Sequence, residues 1–362
     1  MKIGIVTQPL RYNYGGLLQN FALQTVLKRL GHQPVTIDYF ASPSVFQYIK
    51  STVKSLLLYC LPSRRRRFIP LHPKREKAVF DNFVNSHIDK TDYVYSYRQW
   101  QIAGFDGVIT GSDQVWRPIF NKDLKDMYLW FVKNPKIIKI AYAASFGTSD
   151  REYSIKEISQ CKKAAELIDA VSVREQSGVE LFDYYFNREA VVTLDPTLLL
   201  EADDYIRLIK EPDSRETHFL WSYILDSDSI DNEMLQRIVN NMSLDEYKKA
   251  AEGDDDMSPC KWLAMFRDAK LVVTDSFHGT VFSIIFRKPF VTINNTWRGS
   301  ARIYSLLKGL GLESRIVENG SEEAIMRVAG EKIDWDLVET ILNKKREFAI
   351  EFLQNSLKTR KC

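Results

Sequence analysis

The residues best suited to chemistry stand together at Asp275, Ser276 and His278, between the apolar runs 271–274 and 279–286. A buried strand that carries such side chains to its carboxyl end, where a helix begins, builds an anion-binding crevice in an open α/β sheet. The positive end of the helix dipole would disfavour a charged imidazole and leave His278 able to take or give a proton. A single histidine at such a junction can equally be a hydrogen-bonded linker.

Small and polar residues also end other strand-like runs. The turn 12–16, with Asn13, Gly15 and Gly16, follows 3–7; Gly111, Ser112, Asp113 and Gln114 follow 105–110; Ser145 follows 137–143; Arg174 follows 170–173; Asp195 follows 191–194. Polar strand ends repeated in this way mark one rim of one sheet, and a ligand site belongs on that rim. A further strand is expected at 35–39, and apolar residues at helical spacing over 17–30 complete a βαβ opening. The pattern breaks near Pro212, and 219–225 opens a second unit with parallel strands at 271–274 and 290–293. The region 223–259 reads as polar and acidic, and Ser258 caps a helix through 269. The expectation is an α/β chain of two Rossmann-like domains, 1–212 and 213–333, with mostly parallel sheets and a ligand cleft between them. An amphipathic helix, 334–357, within a tail of 334–362, packs back across both. Gly15 and Gly16 do not make a dinucleotide fingerprint, which needs three spaced glycines, so they predict only close approach of a ligand or another segment.

A chain of 362 residues that is 45% hydrophobic exceeds one ordinary core, which agrees with two domains. A net charge of +3, with no basic stripe interleaved with aromatics, gives no reason to expect nucleic acid. Cys60, Cys161, Cys260 and Cys362 are far apart and lack metal-ligand spacing, so a reduced, cytoplasmic chain with no metal is expected. No export signal or membrane span is legible. Two stretches stay open. Asp254, Asp255 and Asp256 form either a solvated loop or, less naturally for consecutive carboxylates, a cation site. Residues 46–67, apolar with Lys50 and Lys54 and then basic from Arg64 to Arg67, read as core or as a peripheral contact with an anionic membrane.

Six segments in fixed order carry a resemblance across nearly the whole chain: NYGGLLQNFAL, GSDQVW, AASFG, SVREQSG, LDPTLLL and TDSFHGTVFSIIFRKPF. Together they resemble the polysaccharide pyruvyl transferase family. The resemblance implies a GT-B-like fold and a transferase of polysaccharide, exopolysaccharide or capsule biosynthesis. It implies phosphoenolpyruvate as co-substrate without a further cofactor. The acceptor would be a saccharide, often lipid-linked, which would bring the chain to the inner face of the cell membrane. The product would be a pyruvate ketal on two sugar hydroxyls, with phosphate released.

Such chemistry needs an acid for the donor's methylene carbon and a base for the attacking hydroxyl, and His278 is the candidate for one of these roles. A doubly anionic donor also calls for guanidinium clamps. Arg174 matches the arginine of the family's S-V-R-E/D segment, although it could simply pair with Glu175 or Glu180. Better-characterised members resemble S-x-R-L-H at the elbow, and here Ser276 stands where that arginine would be. Ser276 can cap the helix but cannot neutralise an anion, so Arg302 and Arg298 are expected to compensate, with Phe277 beside them; Arg302 could also be a solvated helix start. Asn13, Gly15, Gly16, Gly111, Ser112, Asp113, Gln114 and Ser145 are the candidates for the acceptor, with Trp116 either a sugar-stacking face or core. Two other functions remain open: a nucleotide-sugar-dependent glycosyltransferase of GT-B plan, and a sugar-phosphate binding protein without catalysis. The spacing of residues says nothing about oligomeric state.

Overall fold

The computed structural model describes residues 1–11, 13–39, 78–94, 104–121, 123–210, 218–226, 230–250, 257–295, 299–318 and 320–358. Its first unit contains β1 (Lys2–Val6), α1 (Tyr14–Arg29), β2 (Gln33–Thr36), α2 (Ala78–His87), β3 (Gly107–Thr110) and β4 (Ile138–Ala144). It continues with α3 (Ile155–Glu166), β5 (Ala170–Val173), α4 (Gln176–Phe186), β6 (Val191–Val192) and α5 (Ala202–Ile206). The second unit contains β7 (Phe219–Tyr223), α6 (Asn232–Asn241), β8 (Glu246–Ala250), α7 (Pro259–Asp268), β9 (Leu271–Thr274) and α8 (Phe277–Ile285). It ends with β10 (Phe290–Ile293), α9 (Ser300–Gly309), β11 (Ile316–Val317) and α10 (Glu322–Gly330), after which comes the long α11 (Trp335–Leu357).

Among the described residues the strand pairs are all parallel, in the orders β2-β1-β3-β4-β5-β6 and β11-β10-β9-β7-β8. Counted from its own first strand, the second sheet repeats the winding of the first, so the expected pair of parallel α/β units is present. Strands β3, β4, β9 and β10 are buried along their whole length, as parallel strands covered by helices on both faces must be. In each sheet the strand order reverses between the first and third strands, and ligands of such folds lie beyond the carboxyl ends at that reversal.

Two expectations shift. The strand expected at 35–39 is β2 at Gln33–Thr36, and Pro34 is tolerated there because β2 is an edge strand. The stretch 223–259, read as polar and acidic, contains a helix, α6, and the other sheet's edge strand, β8. Residues 46–67, the acidic triplet at 254–256, Arg298 and the boundary near 212 lie outside the described residues.

One apolar cluster runs through both units. At its joint Tyr14 of α1 stacks on Trp262 of α7 with centroids 5.1 Å apart and planes 6° from parallel, and the Tyr14 hydroxyl donates to the Met257 carbonyl at 2.8 Å. Tyr205 meets Phe282 edge-on at 4.9 Å. Helix α11 touches both units: Arg346 donates to the Leu198 carbonyl at 2.7 Å, and Glu339 pairs with Arg287 at 3.3 Å.

Candidate active site

Asp195 anchors the rim. One carboxylate oxygen accepts from the Thr197 amide at 3.0 Å and hydroxyl at 2.6 Å, which fixes the chain as it leaves β6. The other accepts from Ser112 Oγ at 2.7 Å and Arg174 Nη1 at 2.8 Å, and lies 3.7 Å from His278 Nε2. The last distance is too long for a hydrogen bond but short enough for charges to interact. Burial by itself would raise the Asp195 carboxyl; the His278 imidazole, the Arg174 guanidinium and the Ser112 hydroxyl outweigh it and hold the group well below the usual carboxylate range. Asp195 is therefore a fixed negative charge beside the histidine.

The turn after β5 supplies Arg174 and Glu175. Glu175 accepts from Ser145 Oγ at 2.9 Å and from the amides of Phe146 and Gly147 at 2.9 Å and 3.2 Å, so its carboxylate fills the concavity of the 145–147 turn. Burial raises its pKa, opposed by Arg174 and Arg302. The Arg174 guanidinium lies 4.5 Å from the centre of the Phe277 ring and that of Arg302 lies 5.5 Å from it, so Phe277 carries two cations near its faces. Burial, with Arg174 nearby, pulls Arg302 down to about 9. Arg302 reaches this place because α9 docks against the first unit: a Cβ on Gly299 would stand 1.9 Å from the Gly147 carbonyl oxygen, a contact only glycine permits. Gln176 donates its amide to Ser305 Oγ of α9 at 3.1 Å across the same seam.

On the opposite lip, β9 ends in Thr274 and Ser276 caps α8, its Oγ accepting from the Gly279 amide at 3.3 Å. Asp275 faces away from the cleft; it accepts from the amides of Leu225 and Asp226 and from Asn295, and so ties neighbouring loops together. His278 faces the first unit. A Cβ on Gly15 would stand 1.9 Å from His278 Nδ1, so the missing side chain is what lets the imidazole approach helix α1. The ring is nearly enclosed, with 9% of its side chain exposed. Its Nε2, and Nε and Nη2 of Arg174, have no hydrogen-bond partner among the described residues.

The residues expected to touch the acceptor divide. Asn13 caps α1 and reaches Asp113 Oδ2 at 3.5 Å; Gly16 packs beside them. Asp113 holds a left-handed backbone, φ 89°, steadied by its own carboxylate accepting from the Gln114 amide at 2.7 Å, and lies 4.0 Å from Arg174 Nη2. Gln114 Oε1 accepts from Arg117 at 3.2 Å. Ser112 and Ser145 are fully buried, their hydroxyls spent on Asp195 and Glu175, and Gly111 packs against Ile5 and Leu23. Those three are internal supports rather than acceptor contacts. Trp116 is core as well, stacked between Tyr128 and Phe182. The sequence reading passed over Asp195 as a site residue, although an aspartate at the strand end next to that of Arg174 was the available signal. Among the described residues no group of three or more His, Cys, Asp or Glu side chains could hold a metal.

Solved structures similar to this chain share its GT-B-like pairing of two parallel-sheet units. The UDP-GlcNAc 2-epimerase from Neisseria meningitidis, bound to UDP-GlcNAc, superposes with a TM-score of 0.52 at 10% identity, covering 98% of this chain and 100% of that one. The UDP-N-acetylglucosamine 2-epimerase from Rickettsia bellii gives 0.50 at 11%, covering 99% and 97%. An S. aureus MnaA–UDP co-structure gives 0.51 at 11%, covering 99% and 95%. At such identities the likeness is one of fold alone. Among curated proteins no significant match is found. The sequence itself is more specific: residues 13–296, which hold Asp195, Arg174 and His278, match the family described as polysaccharide pyruvyl transferase, and the chain belongs to that enzyme family.

Proposed function

We propose that this enzyme moves the pyruvyl group of phosphoenolpyruvate onto two hydroxyls of a sugar in a cell-surface polysaccharide or its lipid-linked precursor. The observation that carries the reading is the unpartnered Nε2 of His278, set 3.7 Å from an ionised, fully buried Asp195 and next to unsatisfied N–H groups of Arg174. An ionised carboxylate beside an imidazole stabilises the positive charge the ring bears while it carries a proton. His278 gives that proton to the methylene carbon, which becomes methyl, and the first sugar hydroxyl bonds to C2 and returns its proton to the ring. The C2–O bond to phosphate then breaks, the second hydroxyl bonds to C2, and its proton leaves with the phosphate. The free N–H groups of Arg174 receive donor oxygens in the bidentate manner of guanidinium groups, and Arg302 adds positive charge beyond the Phe277 ring.

The acceptor approaches along Asn13, Gly16, Asp113 and Gln114. Gly15 shields the far side of the imidazole, so the donor enters from the side of Arg174 and Phe277. A lipid-linked acceptor would hold the chain at the inner membrane face; among the described residues no helix is long and apolar enough to cross a membrane. The test is phosphate release from phosphoenolpyruvate with a panel of glycosides bearing free hydroxyl pairs. Release should require a glycoside and vanish in His278→Ala. Turnover of a UDP-sugar, with none of phosphoenolpyruvate on any glycoside, would replace this reading by glycosyl transfer.

A further inference from the structure

Two carboxamides on the first unit's lip, Asn13 and Gln114, are locked with their oxygens turned to the protein. Asn13 Oδ1 accepts from the Gly16 amide at 3.1 Å, and Gln114 Oε1 accepts from Arg117 Nη1 at 3.2 Å. A backbone amide and a guanidinium can only donate, so neither carboxamide can turn over without losing its partner. What each has left is N–H. Asn13 Nδ2 makes one long contact, 3.5 Å to Asp113 Oδ2, and Gln114 Nε2 makes no hydrogen bond to the protein among the described residues. Asn13 is exposed and Gln114 partly so. Arg117 is itself held by a fork of two bonds to Glu152, 3.0 Å and 3.2 Å long. Asn121 donates to the Val115 and Arg117 carbonyls at 2.8 Å and 3.1 Å, which braces the backbone beside Gln114. Gln114 lies against the bare Cα of Gly147, where a Cβ would stand 2.0 Å from Oε1, and Gly147 meets Gly299 next to Arg302. Asn13 Nδ2 would stand 3.2 Å from a Cβ on Gly16, one residue from the glycine that faces His278. One donor is thus placed toward His278 and the other toward Arg302. The Asp113 carboxylate beside them is buried and already engaged by the Gln114 amide and by Asn13.

We propose that this lip selects a sugar bearing a carbonyl-type oxygen, the carboxylate of a uronate or the carbonyl of an acetamido group, which accepts from Gln114 Nε2 while Asn13 Nδ2 donates to a second oxygen of the same sugar. A hydroxyl can accept too, but its own hydrogen then needs an acceptor that the lip does not offer; a carbonyl oxygen carries no such hydrogen. Arg117 is a positioning residue: it does not touch the sugar, but it fixes which end of Gln114 does. The selection rests on the proposed function only in that a sugar occupies this lip, and it holds whatever group is transferred.

The experiment is a ligand-observed NMR titration of the full chain with methyl glucoside, methyl glucuronide and methyl N-acetylglucosaminide, repeated for Gln114→Glu, Arg117→Met and Arg117→Lys. The parent should bind one of the two carbonyl-bearing glycosides about tenfold more tightly than the glucoside, the effect of one donor left unmatched. Preference for the glucuronide assigns the oxygen to a carboxylate, and preference for the N-acetylglucosaminide assigns it to an amide. Gln114→Glu keeps a partner for Arg117 but replaces the N–H donors by oxygen, so the preference should vanish. Arg117→Met frees the carboxamide to turn and should weaken the preference, whereas Arg117→Lys retains a donor and should restore it. A fraction of unfolded protein would weaken all three glycosides alike and leave their ratio unchanged. Equal affinity for the three in the parent, or binding of none, would overturn the proposal, as would a preference that survives Gln114→Glu. A preference lost in Gln114→Glu, together with no phosphate release from phosphoenolpyruvate on any glycoside, would support the selection and remove the pyruvyl reading.

Discussion

The two sheets wind alike, and their third strands, β3 and β9, end at the same cleft, yet the turns that follow are built differently. After β3 the chain folds inward: Ser112 is spent on Asp195, Asp113 is held at positive φ, and Trp116 disappears into a stack of rings. After β9 the chain runs straight into α8, with Ser276 as a neutral cap and His278 pointing across the cleft with a free nitrogen. One lip is a charged scaffold built on Asp195 and Arg174; the other turns His278 toward it, so that the fixed charge nearest the imidazole comes from the opposite unit. Under the proposed function, the reacting group stands on the lip with fewer hydrogen-bond obligations, while the opposite lip sets its electrostatics.

Substitutions on each lip should separate these roles. His278→Ala should lower kcat by about 10²- to 10⁴-fold in the phosphate-release assay and leave the melting temperature nearly unchanged; equal losses of activity and stability would erase the contrast. Asp195→Asn, which removes the 2.8 Å ion-pair partner of Arg174 and leaves Asp113 at 4.0 Å, should cost ~3–5 kcal/mol in urea unfolding. Because folding holds the Asp195 carboxyl below its unfolded value of about 3.9, the stability it contributes is complete above that pH and is lost as pH falls toward the folded value. The acid limb of the melting curve should therefore be shallower in Asp195→Asn than in the parent. Gly15→Ala drives a methyl into the imidazole, so kcat should fall by about 10²-fold for a displacement near 1 Å. Ser276→Ala should be mildest, costing about 1 kcal/mol of helix capping without a change in the pH dependence of turnover.

Much of this was legible in the residues. The strands 170–173, 271–274 and 290–293 were placed correctly because buried parallel strands are continuous apolar runs. EYKKA, by contrast, hides its strand character: β8 is an edge, only Ala250 is buried, and charged side chains at an edge look like a loop. His278 and Arg174 were visible as polar residues at strand ends. The partnership of Ser112 with Asp195, 83 positions apart, was not, because local spacing holds no record of which strand ends become neighbours. For the same reason Ser112, Ser145 and Gly111, expected at the acceptor, could not be recognised from spacing as buried supports.

The Tyr14–Trp262 stack has a consequence for how the molecule comes apart. Either half made alone would present those rings, with Tyr205 or Phe282, to water as a sticky apolar face. The halves should therefore melt together, in a single heat-absorption peak whose calorimetric and van't Hoff enthalpies agree, although the chain is long enough for two independent transitions.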